Sequence, residues 1–309
     1  MEERIAELLA HVDATQLQQH LFFLSKAPLP YRKLNYTVPG HAQNSLYEAD
    51  AFISQQLEGW GYAVEREGVP VQAFGFDPNK PKRHSYVRPA PDAPTYTAYN
   101  LYARKQGRRR PDEVILLLAH KDSQSWVDSP GAYDNGVGTV AVLQLARVLA
   151  GYTCERSLWF LFCNEEHTPW TSIRAAKRAR ELGVNFTAIF NLDSLGGKAE
   201  VDVAAGRKTN VTAYTTPEGR LLADLMAEVN ERYRVGLQQS AQLRPRPGDD
   251  DGSFIQAGYP AAVANIGSFP YVDDQYHLEG DIPERVDIAN VRMAAQATLA
   301  AVLTLDGAS

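Results

Sequence analysis

Cysteine is nearly absent from this chain of 309 residues: only Cys154 and Cys163 are present. Two thiols cannot make a disulfide framework. Both flank or lie in strand-like runs, so small buried thiols in a reducing compartment are the expectation. A positive surplus is lacking as well. Lys and Arg number 31 against 37 Asp and Glu, a net charge of −6, which speaks against nucleic acid or an anionic membrane surface as partner. No signal peptide or membrane span is evident: Met1-Glu2-Glu3-Arg4 is acidic, and Ile5, Leu8, Leu9 and Val12 after it have the spacing of an amphipathic helix. A cytoplasmic location is the corresponding expectation. What remains, 44% hydrophobic and 22% charged, is an ordinary soluble composition, and one α/β domain over residues 1–309 is expected.

Three short apolar runs between residues 114 and 193 organise the chain, each ending in residues that bind metal or move protons. Val114 to Ala119 is too short for a helix and apolar on both faces, as a strand covered on both sides should be; it ends in His120-Lys121-Asp122. A loop with Ser129-Pro130-Gly131 and then Asp134-Asn135-Gly136 leads into a helical pattern from Thr139 to Ala150. The second run, Leu158 to Cys163, leads into Asn164-Glu165-Glu166-His167, followed by a helix over Ser172 to Leu182 that stops at Gly183. The third, Ala188 to Leu192, ends in Asp193. Strands alternating with helices imply right-handed crossovers and a mainly parallel sheet, so the three strand ends share one edge. His120, Asp122, Asp134, Glu165, Glu166 and Asp193 then meet there. Bringing so many carboxylates together without a cation is costly, and imidazole with carboxylate suits zinc or a similar divalent ion.

The order His120-x-Asp122, Asp134-Asn135-Gly136, Glu165-Glu166, Asp193 and Tyr276-His277 resembles that of the M28 class of zinc-dependent aminopeptidases. Each piece recurs by chance; the five in sequence do not. The resemblance covers the last two hundred or so residues well and the N-terminal hundred loosely. It implies a three-layer α/β/α fold with a mixed, mainly parallel sheet of the zinc-exopeptidase (phosphorylase/hydrolase-like) type. It also implies two divalent metals, Zn2+ with Mn2+ or Co2+ as substitutes, bridged by Asp134. One metal would take His120 and Asp193, the other Glu166 and His277. Charge counting agrees: two dications, three carboxylates and one hydroxide sum to zero. Glu165 would be the general base, Asp122 would accept the other ring N–H of His120, and Tyr276 would donate its hydroxyl to the developing oxyanion.

The rest of the chain is read more coarsely. A helix is expected over Ser45 to Trp60, ending at Gly61, and strands over Tyr62 to Gln72 and Asn100 to Ala103 as a hairpin at the sheet edge. Between them, 77–94 is rich in proline and reads as an irregular surface excursion carrying an exposed His84. His11, His20 and His41 read as ordinary surface or core histidines, and Lys105 with Arg108 to Arg110 as a solvated turn. Gly136-Val137-Gly138-Thr139-Val140-Ala141 fits a dinucleotide fingerprint, but no strand runs directly into it, and the acidic candidates Glu165 and Glu166 follow 29 and 30 residues after Gly136 rather than about 20. Its glycines are expected to let the backbone pass close to the metal site.

Beyond Asp193, strands are expected at 201–205, 211–214 and 261–266, and helices at 218–231 and 287–305. Leu221, Leu222, Leu225, Met226 and Val229 of the first helix should point inward. The stretch 240–252 reads as a loop in which Asp249-Asp250-Asp251 stands where the family often has Ser-Asp-His. A solvated turn is the expectation, the alternative being carboxylates that attract a substrate ammonium. His167 is expected only to hydrogen-bond near the site. An aminopeptidase acting on peptides is the preferred function. Carboxypeptidase and glutaminyl cyclase of the same fold, a non-catalytic binding relative, and a nucleotide-dependent oxidoreductase are the rivals.

Overall fold

Short apolar runs become strands, and the longer amphipathic stretches between them cover the resulting sheet. The structure, a computed structural model, describes residues 2–307. The chain opens with three helices, α1 (Glu2–Ala10), α2 (Ala14–Ser25) and α3 (Ser45–Gly59). Strands β1 (Val64–Ala73), β2 (Gly75–Phe76), β3 (Tyr86–Val87), β4 (Thr95–Lys105) and β5 (Arg110–His120) follow. Then come α4 (Val137–Leu149), β6 (Arg156–Cys163), β7 (His167–Thr168), α5 (Thr171–Glu181), β8 (Asn185–Leu192) and α6 (Glu200–Ala204). The chain closes through β9 (Thr209–Tyr214), α7 (Pro217–Arg232), β10 (Gln238–Leu243), α8 (Asp249–Gln256), β11 (Ala262–Ile266) and α9 (Ile288–Asp306).

Nine strands form one sheet in the order β10-β9-β11-β8-β5-β6-β4-β1-β7. Its centre, β11-β8-β5-β6, is parallel, so the carboxyl ends of these four strands lie on one edge. β4, β1 and β7 flank it antiparallel on one side, and β9 meets β11 antiparallel on the other. On β5, Ile115, Leu117 and Ala119 face one helical layer while Val114, Leu116 and Leu118 face the other. The unbroken apolar run of the sequence therefore reflects burial on both faces. The larger layer holds residues of α1, α2, α3, α4, α7 and α9. The smaller holds α5 and α8. Helix α9 has the length and composition to cross a membrane, but Val291, Ala294, Ala295, Leu299 and Val302 are fully buried in the core.

Several expectations need correction. Residues 200–204 are a helix, not a strand: Val201 and Val203 are 66% and 45% exposed, and Glu200 and Asp202 in the first turn suit a helix start. Leu221 faces solvent. The stretch 240–252 is a loop only over 244–248; its ends belong to β10 and α8. β10 is a polar edge strand without the apolar run that betrays a buried one, and the three aspartates begin a helix, where acidic groups offset the macrodipole. The excursion at 77–94 contains a 3-10 turn, Lys82–His84, and follows the small β2–β3 hairpin's first strand rather than being wholly irregular.

Candidate metal centre

The four parallel strands deliver the site. His120 ends β5 and Asp122 follows it; Glu165 and Glu166 follow β6; Asp193 follows β8; His277 lies in the loop after β11. Asp134 arrives on the turn before α4, held by Asp281, which accepts the backbone N–H groups of Tyr133 (2.8 Å) and Asp134 (3.0 Å). Asn135 donates to the Leu192 carbonyl (2.8 Å) and accepts from Gly138 N–H (2.9 Å), locking the turn to the end of β8. A Cβ on Gly138 would lie 2.1 Å from Leu192 O. The glycines thus serve close approach of the backbone beside the site.

Two buried groups of ligand atoms share Asp134: His120, Asp134 and Asp193, and Asp134, Glu166 and His277, each within 4.8 Å of one another. His120 Nε2 is 3.1 Å from Asp134 Oδ1 and 3.6 Å from Asp193 Oδ1. His277 Nε2 is 3.0 Å from Asp134 Oδ2 and 3.6 Å from Glu166 Oε1. Each imidazole is oriented from behind. The Nδ1 of His277 lies 2.9 Å from the Arg83 carbonyl, which can only accept, so that nitrogen carries the proton and Nε2 offers its lone pair forward. His120 Nδ1 faces Asp122 Oδ1 at 3.3 Å.

The site fits divalent cations on its own chemistry. His277 Nε2 is buried without a hydrogen-bond partner although carboxylate oxygens surround it, so lone pairs converge on a common space. Burial alone would lower the pKa of both imidazoles. The facing carboxylates outweigh it, taking His277 up to about 10 and His120 well above its ordinary value. The carboxylates therefore favour positive charge among them, which bound dications would supply in place of those protons.

Asp122 is more than a partner of His120. Its two oxygens also accept from Glu165 N (2.9 Å), Glu166 N (2.9 Å) and His167 Nδ1 (2.8 Å), so it ties the end of β5 to the glutamate turn. Glu165 Oε2 is buried and unpartnered. Burial, then Asp250 and Asp249, raise its pKa well above the usual carboxylate value. Tyr276 stacks on His277 (ring centroids 3.8 Å apart) and on Tyr271 (4.9 Å). Burial and then nearby carboxylates keep its hydroxyl protonated. Glu165, Glu166, Tyr276 and His277 line a cleft of about 560 Å³ together with Phe74, Tyr86, Trp126 and Trp170. His84 is exposed, as expected, 6.5 Å from the His277 ring.

The aspartate triplet is not a solvated turn. Asp250 and Asp251 are fully buried, Arg244 binds both Asp249 (2.8 Å) and Asp251, and Asp250 accepts from the Cys163 thiol (3.1 Å). Asp249 reaches the cleft beside Glu165. Other contributors left no mark in the sequence. Gln124 donates to Asp134 Oδ2 (2.8 Å) and Tyr271 to Asp193 Oδ2 (3.3 Å). The fully buried Arg32 donates to the carbonyls of Leu24, Lys121, Pro130 and Gly131. Burial lowers its pKa to about 10, opposed by Asp281, Asp122 and Asp134, so a permanent cation stands behind the acidic centre.

The family model of peptidase family M28 matches residues 100–302, which contain every group named above as a possible ligand. The chain belongs to peptidase family M28. Among curated relatives, a probable zinc metalloprotease of Pyrenophora teres f. teres is 26% identical over 199 residues, covering 53% of this chain and 41% of that protein. Leucine aminopeptidase 1 of Sclerotinia sclerotiorum is 25% identical over 214 residues, covering 63% and 53%. The chain spans about half the length of the curated relatives it matches. Solved structures share the fold. The aminopeptidase from Aneurinibacillus sp. strain AM-1 has a TM-score of 0.69 at 16% identity, with 97% of this chain and 95% of that one covered. Bacteroides thetaiotaomicron glutaminyl cyclase has 0.70 at 15%, with 94% and 97% covered.

Proposed function

We propose that this M28 chain is a zinc-dependent aminopeptidase that holds two divalent ions and hydrolyses the N-terminal peptide bond of a peptide. The observation that carries this reading is the pair of three-residue ligand groups sharing Asp134, with the buried, unpartnered Oε2 of Glu165 on the same cleft. His120 and Asp193 would hold one ion, Glu166 and His277 the other, and Asp134 both. Bound there, divalent ions polarise a carbonyl and lower the pKa of the attacking water. Glu165 takes that water's proton and passes it to the leaving amine; burial and the neighbouring Asp250 and Asp249 raise its pKa, which makes it a stronger base than a free carboxylate. Asp122 fixes the Glu165 backbone and the His120 ring, and the protonated Tyr276 hydroxyl donates to the developing oxyanion. A single α/β catalytic unit is proposed, because one nine-stranded sheet gathers all these groups.

The test is metal analysis of the purified protein together with a panel of aminoacyl amides, N-blocked peptides and peptides with N-terminal glutamine. Two ions per chain and release of free N-terminal residues are expected. Cleavage from the carboxyl end, or ring closure of N-terminal glutamine with loss of ammonia, would replace the aminopeptidase assignment with the corresponding rival.

A further inference from the structure

The β2–β3 hairpin carries the proline-rich segment that nothing in the proposed chemistry accounts for. Its strands pair Gly75 with Val87 and Phe76 with Tyr86, and Asp77 N–H donates to the Ser85 carbonyl (2.7 Å), so 77–85 is an organised hairpin loop. That loop reaches across to the segment bearing His277. Arg83 donates from Nη2 to the Asp274 carbonyl (2.8 Å), Lys82 pairs with Glu279 (2.7 Å), and the Arg83 carbonyl accepts from His277 Nδ1 (2.9 Å).

The two imidazoles are therefore backed very differently. His120 closes a central strand, and its partner Asp122 is fully buried and hydrogen-bonded to three other groups. His277 lies in a loop with φ +59°, a left-handed conformation that a side chain adopts only when its surroundings enforce it. Its Nδ1 partner is one backbone carbonyl of a surface hairpin remote in sequence.

On the two-ion reading above, we propose that the 77–85 loop is a strap that seats His277, so that the two ions are held unequally. The ion at His120, Asp134 and Asp193 is held by the sheet. The ion at Asp134, Glu166 and His277 is held through the strap and is the first to leave. Lys82 and Arg83 are positioning residues for that second ion, and removal of such an outer partner costs about 10- to 100-fold in metal affinity.

The experiment is zinc titration of the full chain against a chromophoric chelator. One variant replaces residues 77–85 by Asn-Gly, a two-residue turn that keeps the Phe76–Tyr86 pair. The other is Lys82→Ala with Arg83→Ala, which removes the side-chain ties and spares the backbone. The loop replacement should leave the first ion bound as in the wild type and weaken the second by about 10- to 100-fold. The double substitution should do so in the same direction and less. In a His277→Ala background neither change should weaken zinc binding further, because the strap acts through His277. If the wild type binds two ions and both variants retain both with wild-type affinity, or lose both alike, the strap is refuted while the two-ion reading stands. A wild type that takes up fewer than two ions overturns both.

Discussion

Replacing Asp122 by Asn keeps the side chain's shape and removes its charge, in a fully buried position with four donors around it. One oxygen position must become an NH2 group. Placed at Oδ1 it faces His120 Nδ1 and Glu165 N; placed at Oδ2 it faces Glu166 N and His167 Nδ1. Either way two buried donors lose their acceptor, and at about 1–3 kcal/mol for each unsatisfied group the cost is roughly 2–6 kcal/mol, less whatever the turn recovers by relaxing. Histidine orientation suffers as well, so zinc affinity should fall by about 10- to 100-fold, equivalent to roughly 1.4–2.7 kcal/mol. A pH signature should accompany the loss. Burial raises the Asp122 pKa, but His120 and His167 outweigh it and hold it below the ordinary carboxylate value. Its stabilisation is thus fully present above the unfolded pKa of about 4 and is lost as pH falls through the lower folded value. Metal-free wild type should lose this contribution on acidification, and the Asn variant should have none to lose. Denaturant unfolding of both proteins at neutral and acid pH, with chelator competition for zinc, measures all three effects. An Asn variant within about 0.5 kcal/mol of the wild type, a change within the ordinary surface range, and with unchanged zinc affinity would refute the role given to Asp122.

The adjacent glutamates should separate. Glu165→Gln should keep both ions and lose turnover by about 10² to 10⁴, without rescue by added metal; a metal-depleted, zinc-rescued protein would reverse the assignment. Glu166→Gln should lose zinc instead and recover part of its activity in excess metal, which metal content measured beside turnover will show. Because burial, Asp250 and Asp249 together raise the Glu165 pKa, activity should rise with pH as Glu165 ionises. Asp249→Asn removes one repelling charge, so the acid limb of the kcat/KM profile should move to lower pH; a limb that stays or moves upward excludes Asp249 as an influential neighbour. Gly138→Ala places a Cβ 2.1 Å from Leu192 O and 2.3 Å from Asn135 Oδ1, and should destabilise by about 3 kcal/mol or more in a thermal melt.

The strands β5, β6 and β8 and the residues at their carboxyl ends were legible because both signals are local. Two-sided burial writes an unbroken apolar run, and right-handed crossovers place successive strand ends on one edge. His277 was legible only through the family order, since a histidine in a loop carries no period of its own. The polar edge strand β10 and the aspartates of α8 were misread for a related reason: an exposed strand needs no apolar run, and three adjacent carboxylates look solvated until Arg244 and Cys163 close over them. The backing of the site was beyond any local signal. Arg32 is bound mainly by carbonyls far along the chain, and His277 by the carbonyl of Arg83, 194 residues away. The sequence by itself determined the central strands and which acids and imidazoles meet at their ends. Only the tertiary structure decided how each is oriented, because a backbone carbonyl has the same chemistry at every residue and gains its role from where the fold brings it.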